Sequence, residues 1–123
     1  MTKGIFVNND GIPYADAIVR GYKTIETRNR HMLRQLVGER VAVISTSRKR
    51  KPIVVGYVDI VGAEFCPADK FDNYRDQTLI PPGSRFDANT RGKWFYHLKN
   101  AQETYPNTLP ADAIRHGISW CEF

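Results

Sequence analysis

The sequence predicts a mostly β, α+β domain: a small closed β-barrel with a few short flanking helices. Two observations point there. Five or six short segments rich in Val, Ile, Tyr and Phe are separated by turn residues, while only one early segment has clear helical spacing. A sheet of that size hides its edges best by closing on itself. The alternative is an open α+β sheet packed against the first helix. A chain of 123 residues suits a single domain spanning 1–123. With 41% hydrophobic and 25% charged residues, wholesale disorder is excluded.

The elements follow in order. Ile5 to Val7 reads as a first strand. Asp10-Gly11-Ile12-Pro13 is turn chemistry, and Pro13 suits the first turn of a helix. Tyr14, Ala17 and Ile18 recur at helical spacing up to Gly21, which predicts a helix over 13–20. Lys23 to Arg28 is a short strand, and His31 to Leu36 a short amphipathic turn. Arg40 to Thr46 and Pro52 to Ala63 are the clearest strands, joined by a hairpin loop. Gly56 marks a bulge or a close approach. Pro67 to Arg75 reads as a helix with Phe71 and Tyr74 on one face, and Leu79 to Gly83 as a loop. Lys93 to Lys99 and Ile118 to Phe123 are the late strands, with Pro106 and Pro110 framing a loop between them.

The formal net charge is +5, and Arg48, Lys49, Arg50 and Lys51 supply four of those units. Such a patch either attracts phosphates or keeps a hairpin tip solvated. Cys66 and Cys121 read as reduced packing residues of an intracellular chain. His31, His97 and His116 are scattered, so neither a metal nor another cofactor is expected. No signal-peptide pattern or bilayer-length apolar run is present, so a cytoplasmic protein without membrane contact is expected.

The most informative segment is Gly21-Tyr22-Lys23-Thr24-Ile25-Glu26-Thr27-Arg28. Gly21 allows an abrupt helix end by taking positive φ. In a strand, Glu26 and Arg28 point the same way, so the carboxylate can orient a guanidinium whose fork holds an anion. An ordinary surface ion pair is the simpler reading of the same residues.

The spacing Gly-x-Lys-x-x-Glu-x-Arg after an N-terminal helix resembles the signature of the ASCH family, whose fold is similar to the PUA domain of RNA-binding proteins. The resemblance continues through Val37-Gly38-Glu39-Arg40, Val55-Gly56-Tyr57-Val58, Lys93 to Asn100, and Gly117-Ile118-Ser119-Trp120, the last two also resembling EVE-like domains. Residues 66–91 match nothing in it and read as a family-specific insertion. The resemblance implies a PUA-like barrel with a cleft lined by Lys23, Glu26 and Arg28 that takes RNA, DNA, or a nucleotide or nucleoside. Tyr22, Trp94 and Tyr96 are candidates for stacking on bases, though barrel core is the competing role of Trp94 and Tyr96; Trp120 is assigned to the core. Arg48 to Lys51 and Lys93 are candidate phosphate contacts, and four such contacts on a single strand predict a log–log salt slope of about −2.8.

The resemblance also implies a second function, a hydrolase acting on acylated cytidine or RNA, with Lys23 and Glu26 as catalytic residues. The amidohydrolase branch carries a Thr where this chain has Glu26, and Glu26 favours a charged Lys23, so an electrostatic clamp is the expected role of the lysine. A protein-interaction domain is a third possibility. Oligomeric state is not legible.

Overall fold

A computed structural model describes residues 1–123. Seven strands form one mixed sheet: β1 (Lys3–Asn8), β2 (Ile25–Arg28), β3 (Arg40–Ser47), β4 (Arg50–Cys66), β5 (Lys93–Thr108), β6 (Ile114–His116) and β7 (Trp120–Glu122). Their order is β2-β5-β4-β3-β1-β7-β6, and only β1 and β3 pair in parallel. Two short helices, α1 (Tyr14–Val19) and α2 (Arg75–Thr78), accompany 3₁₀ turns at Arg34–Leu36 and Ala68–Tyr74.

The expectation of a closed barrel is overturned. The sheet is open, with β2 and β6 as its two edges: β2 pairs only with β5, and β6 only with β7. No strand ladder joins β2 to β1. Side chains occupy that gap instead, because the Arg28 guanidinium of β2 reaches across and donates to the Phe6 carbonyl of β1 at 2.7 Å. The edges are kept from pairing elsewhere by their brevity: β2 has four residues and β6 three, all three exposed.

Strand alternation sorts the apolar residues between two faces. Ile5 and Val7 of β1 join Val41 and Val43 of β3, Val58 and Ile60 of β4 and Phe95 of β5 in the main core, with Ile18 and Val19 of α1 above them. Phe6, Ala42, Ile44, Val54 and Cys121 point the other way into a smaller cluster; simple alternation would put Val54 with Val58 and Ile60, but the register slip at Val55 turns it over. Each fully buried Ile or Val contributes about 2 kcal/mol of transfer free energy, so this pattern fixes the register of the central strands. Both cysteines are buried and free, and Trp120 is in the main core.

The long strands bend through irregularities. β3 and β4 slip register between Val43 and Ile44, and β4 and β5 slip between Val54 and Gly56. A side chain at Gly56 would collide with the Gln102 carbonyl and with Val19, so glycine there lets α1 approach the sheet. The loop expected around Pro106 is strand instead: β5 runs on to Thr108, with Pro106 between the paired residues Glu103 and Asn107 where the ladder is irregular. A proline's missing N–H is harmless at such a place. The helix expected over 67–75 is a 3₁₀ turn followed by α2. β6 has one apolar residue in three, which leaves no periodic signal to read.

Candidate functional site

The turn after α1 delivers the motif. The Tyr22 and Lys23 N–H groups both donate to the Ala17 carbonyl, at 2.9 and 3.1 Å, and Gly21 takes φ 82° to make that wrap possible. Lys23 is thereby driven inward, its side chain only 1% exposed. Its Nζ donates to the carbonyl of Thr78, the last residue of α2, stands 3.7 Å from Glu26 Oε1, and lies 5.0 Å from the centre of the Tyr14 ring. β2 then sets Glu26 and Arg28 on one face. Arg28 Nη2 donates to Glu26 Oε2 at 3.0 Å, and the Thr27 N–H donates to Glu26 Oε1 at 3.1 Å. With side chains 9% and 13% exposed, this is not a surface ion pair.

The two strand edges are therefore stitched by side chains: the Thr27 amide to Glu26, Glu26 to Arg28, and Arg28 to the Phe6 carbonyl. Arg28 uses only Nη2 in this chain. Its Nε and Nη1 have no protein partner and are not buried, so they remain available to a ligand.

A cleft of about 490 Å³ opens over this seam, a volume suited to a small organic ligand. Lys23, Arg28, Arg85, Lys93 and Arg115 line it, against Glu26 as the one carboxylate. Lys93 is buried and donates to Asn29 Oδ1 at 2.7 Å. Arg85 lies 4.9 Å over the Phe86 ring, and Arg115 4.9 Å over the Phe6 ring. Cations held against aromatic faces keep their charge directed while losing little freedom on binding.

Burial sets the proton affinities here. Lys23 is held below the usual lysine value because desolvation disfavours its ammonium; attraction to Glu26 opposes this, and Arg28 reinforces it. Glu26 favours the charged lysine, as expected from the sequence, but desolvation outweighs it. Lys93 is lowered for the same first reason, with Asp87 and Glu26 opposing.

Lys23, Glu26, Arg28 and Lys93 are thus brought together. The other candidates are placed elsewhere. Arg48 and Lys49 form the tip of the β3–β4 hairpin, Arg50 and Lys51 begin β4, and all four are exposed outside the cleft lining. Tyr22 is exposed and outside the lining. Tyr96 is wholly buried: opposite Glu26 on β5, its hydroxyl accepts from the Leu33 N–H at 3.1 Å. Trp94 lies opposite Arg28, stacked on His31 at 4.0 Å and likewise outside the lining. The apolar surfaces of the cleft come instead from Phe6, Tyr14, Met32, Ile80, Phe86 and Ile118.

Residues 66–91 contribute one wall through Ile80, Arg85 and Phe86. Arg75 ties the segment together, donating to Asp72, to Asp87 and to the Ile80 carbonyl. Sequence reading missed Arg85, Phe86 and Arg115, since each sits in a segment with no periodic or motif signal.

No sequence-family model and no curated protein matches the chain. Solved structures do. An ASCH protein from Zymomonas mobilis superposes with a TM-score of 0.71 at 21% identity, covering 88% of this chain and 73% of the other. A serine-to-alanine variant of that protein gives 0.70 at 20% identity over 87% and 73%, and a tyrosine-to-phenylalanine variant 0.66 at 19% over 88% and 76%. These likenesses establish the fold, which is that of an ASCH-type domain.

Proposed function

We propose that this ASCH-type domain binds single-stranded RNA or a nucleotide in the cleft between β1 and β2. One observation carries the reading: five cations and a single carboxylate surround a cleft of nucleotide-sized volume. Phosphates are recognised by such arginine forks and lysine point charges. Apolar faces at Tyr14 and Phe86 offer surfaces for a base. The exposed hairpin at 48–51 supplies long-range attraction for the rest of a nucleic-acid chain.

The test is titration of a fluorescently labelled short single-stranded RNA at several salt concentrations. Affinity should fall with salt, with a slope of about −0.7 for each phosphate neutralised. Lys93→Ala should weaken binding and flatten the slope. Binding that ignores salt, or that survives removal of the cleft cations unchanged, contradicts the proposal.

A hydrolytic role is favoured by one observation, the depressed proton affinity of Lys23. Burial beside Glu26 makes this lysine a readier proton donor than an exposed one. Incubation with acylated cytidines and with short RNAs tests it. Turnover lost in both Lys23→Ala and Glu26→Ala supports catalysis, and no turnover of either substrate class removes it.

A further inference from the structure

We propose that the open seam reads a nucleobase through main-chain groups, chiefly those of Asn8, while the neighbouring cations hold the attached phosphate. This rests on the nucleotide reading above and narrows it to a ligand that carries a base.

Strand parity decides which main-chain groups face the seam. Along β1, the main-chain groups of even-numbered residues face β7. Thr2 and Phe123 exchange hydrogen bonds of 2.7 and 2.8 Å, Gly4 stands opposite Cys121, and the Phe6 N–H donates to the Ser119 carbonyl at 3.1 Å. The ladder ends there, because the chain turns away at Gly117, φ 63°. Phe6 keeps its carbonyl satisfied through Arg28. Asn8 is next on the same edge, and neither its N–H nor its carbonyl has a protein partner. It is not turned toward β3, since Asn9 is the residue whose N–H donates to the Thr46 carbonyl, at 2.9 Å. Asn8 lines the cleft.

The facing edge obeys the same rule. The Leu98 N–H donates to the Thr24 carbonyl at 2.9 Å, which turns the main chains of Glu26 and Arg28 toward β5 and that of Thr27 toward the seam. The Thr27 N–H is taken by Glu26; its carbonyl has no partner. The seam therefore presents one main-chain donor and two acceptors with nothing to bond but solvent or ligand.

That pattern selects the ligand. A phosphate only accepts, so two carbonyls repel it. A nucleobase edge both donates and accepts, and bases outside a duplex are read along that edge. A peptide strand has the same chemistry but needs a run of free groups. Here β1 ends at Asn8, leaving a single residue free.

Isotope-labelled protein is titrated with the four nucleoside 5′-monophosphates and with ribose 5-phosphate, following the amide resonances. At least one nucleotide should bind about tenfold more tightly than ribose 5-phosphate and move the Asn8 amide downfield, as a new hydrogen bond does. Asn8→Ala, which keeps the main chain, should retain that preference. Asn8→Pro, which deletes the N–H, should lose it while still binding ribose 5-phosphate. Equal affinity for ribose 5-phosphate and every nucleotide, with the Asn8 amide unmoved, overturns the base reading and leaves a phosphate site standing. Loss of the preference in Asn8→Ala also overturns it, since the side chain is then the reader. A peptide that moves the Asn8 amide where no nucleotide does overturns it in favour of strand addition. If neither the nucleotides nor ribose 5-phosphate bind, the nucleotide function itself fails.

Discussion

The cleft and the β3–β4 hairpin both concentrate positive charge, but they hold it differently. In the cleft, Lys23 and Lys93 are buried and bonded, Arg28 is pinned between Glu26 and the Phe6 carbonyl, and two arginines lie on aromatic rings. At the hairpin, four exposed side chains project from a turn whose backbone is fixed by Asp10. That carboxylate accepts from the Ser47 hydroxyl at 2.7 Å and from the Arg48 N–H at 2.9 Å, bonds that hold it below the usual carboxylate value. Ordered, partly desolvated cations recognise; solvated, mobile ones steer. Charge density read from a sequence does not distinguish the two.

Substitutions separate these roles. The largest effect is expected from Arg28→Ala, which removes a cation facing the cleft, unpairs one Glu26 oxygen and frees the Phe6 carbonyl. Breaking a buried pair of this kind should lower the unfolding free energy by about 3 kcal/mol, measured by urea denaturation, and abolish RNA binding. Lys93→Ala comes next. It should weaken RNA binding by about tenfold, the loss of one charged hydrogen bond, and reduce the salt slope by about 0.7. If it instead matches wild type in both, the cleft is not where phosphate binds.

Lys23→Met sharpens the contrast from the side of stability. Burial lowers the folded-state pKa of Lys23 below the ordinary 10.5, so between those two values the unfolded chain holds the extra proton. Stability from this group is therefore poorest below the folded pKa and recovers as pH rises toward 10.5. The stability of the Met variant relative to wild type should therefore fall as pH rises toward 10.5. An advantage that grows with pH contradicts the burial argument. The smallest effect belongs to the hairpin. Replacing Arg48, Lys49, Arg50 and Lys51 by Gln should alter stability by less than about 0.5 kcal/mol. It should slow association at low salt while leaving nucleotide affinity unchanged.

The motif and the central strands were legible in the sequence, for local reasons. Gly21, Lys23, Glu26 and Arg28 sit within eight residues, and helix capping plus strand alternation determine where their side chains go. Val41, Val43, Val58 and Ile60 declare their face by alternation. Closure was not legible, because it depends on whether β2 finds β1, a pairing between segments whose edges carry no pattern of their own. Arg28 takes the Phe6 carbonyl that such a ladder would have used. Trp94 and Tyr96 show the limit of alternation: it put them on one face of their strand, but not at what depth or beside which residues; the structure sets them opposite Arg28 and Glu26, with Tyr96 fully buried and its hydroxyl accepting from the Leu33 N–H. Arg85, Phe86 and Arg115 reach the cleft through tertiary placement of a loop and an edge strand, which composition does not encode.

The most direct measurement is a crystal structure with a nucleoside monophosphate bound. Phosphate oxygens within hydrogen-bond reach of Arg28 Nε or Nη1 and of Lys93 are the predicted result. A nucleotide seated on the exposed hairpin, with the space above Arg28 holding only water, would contradict the account.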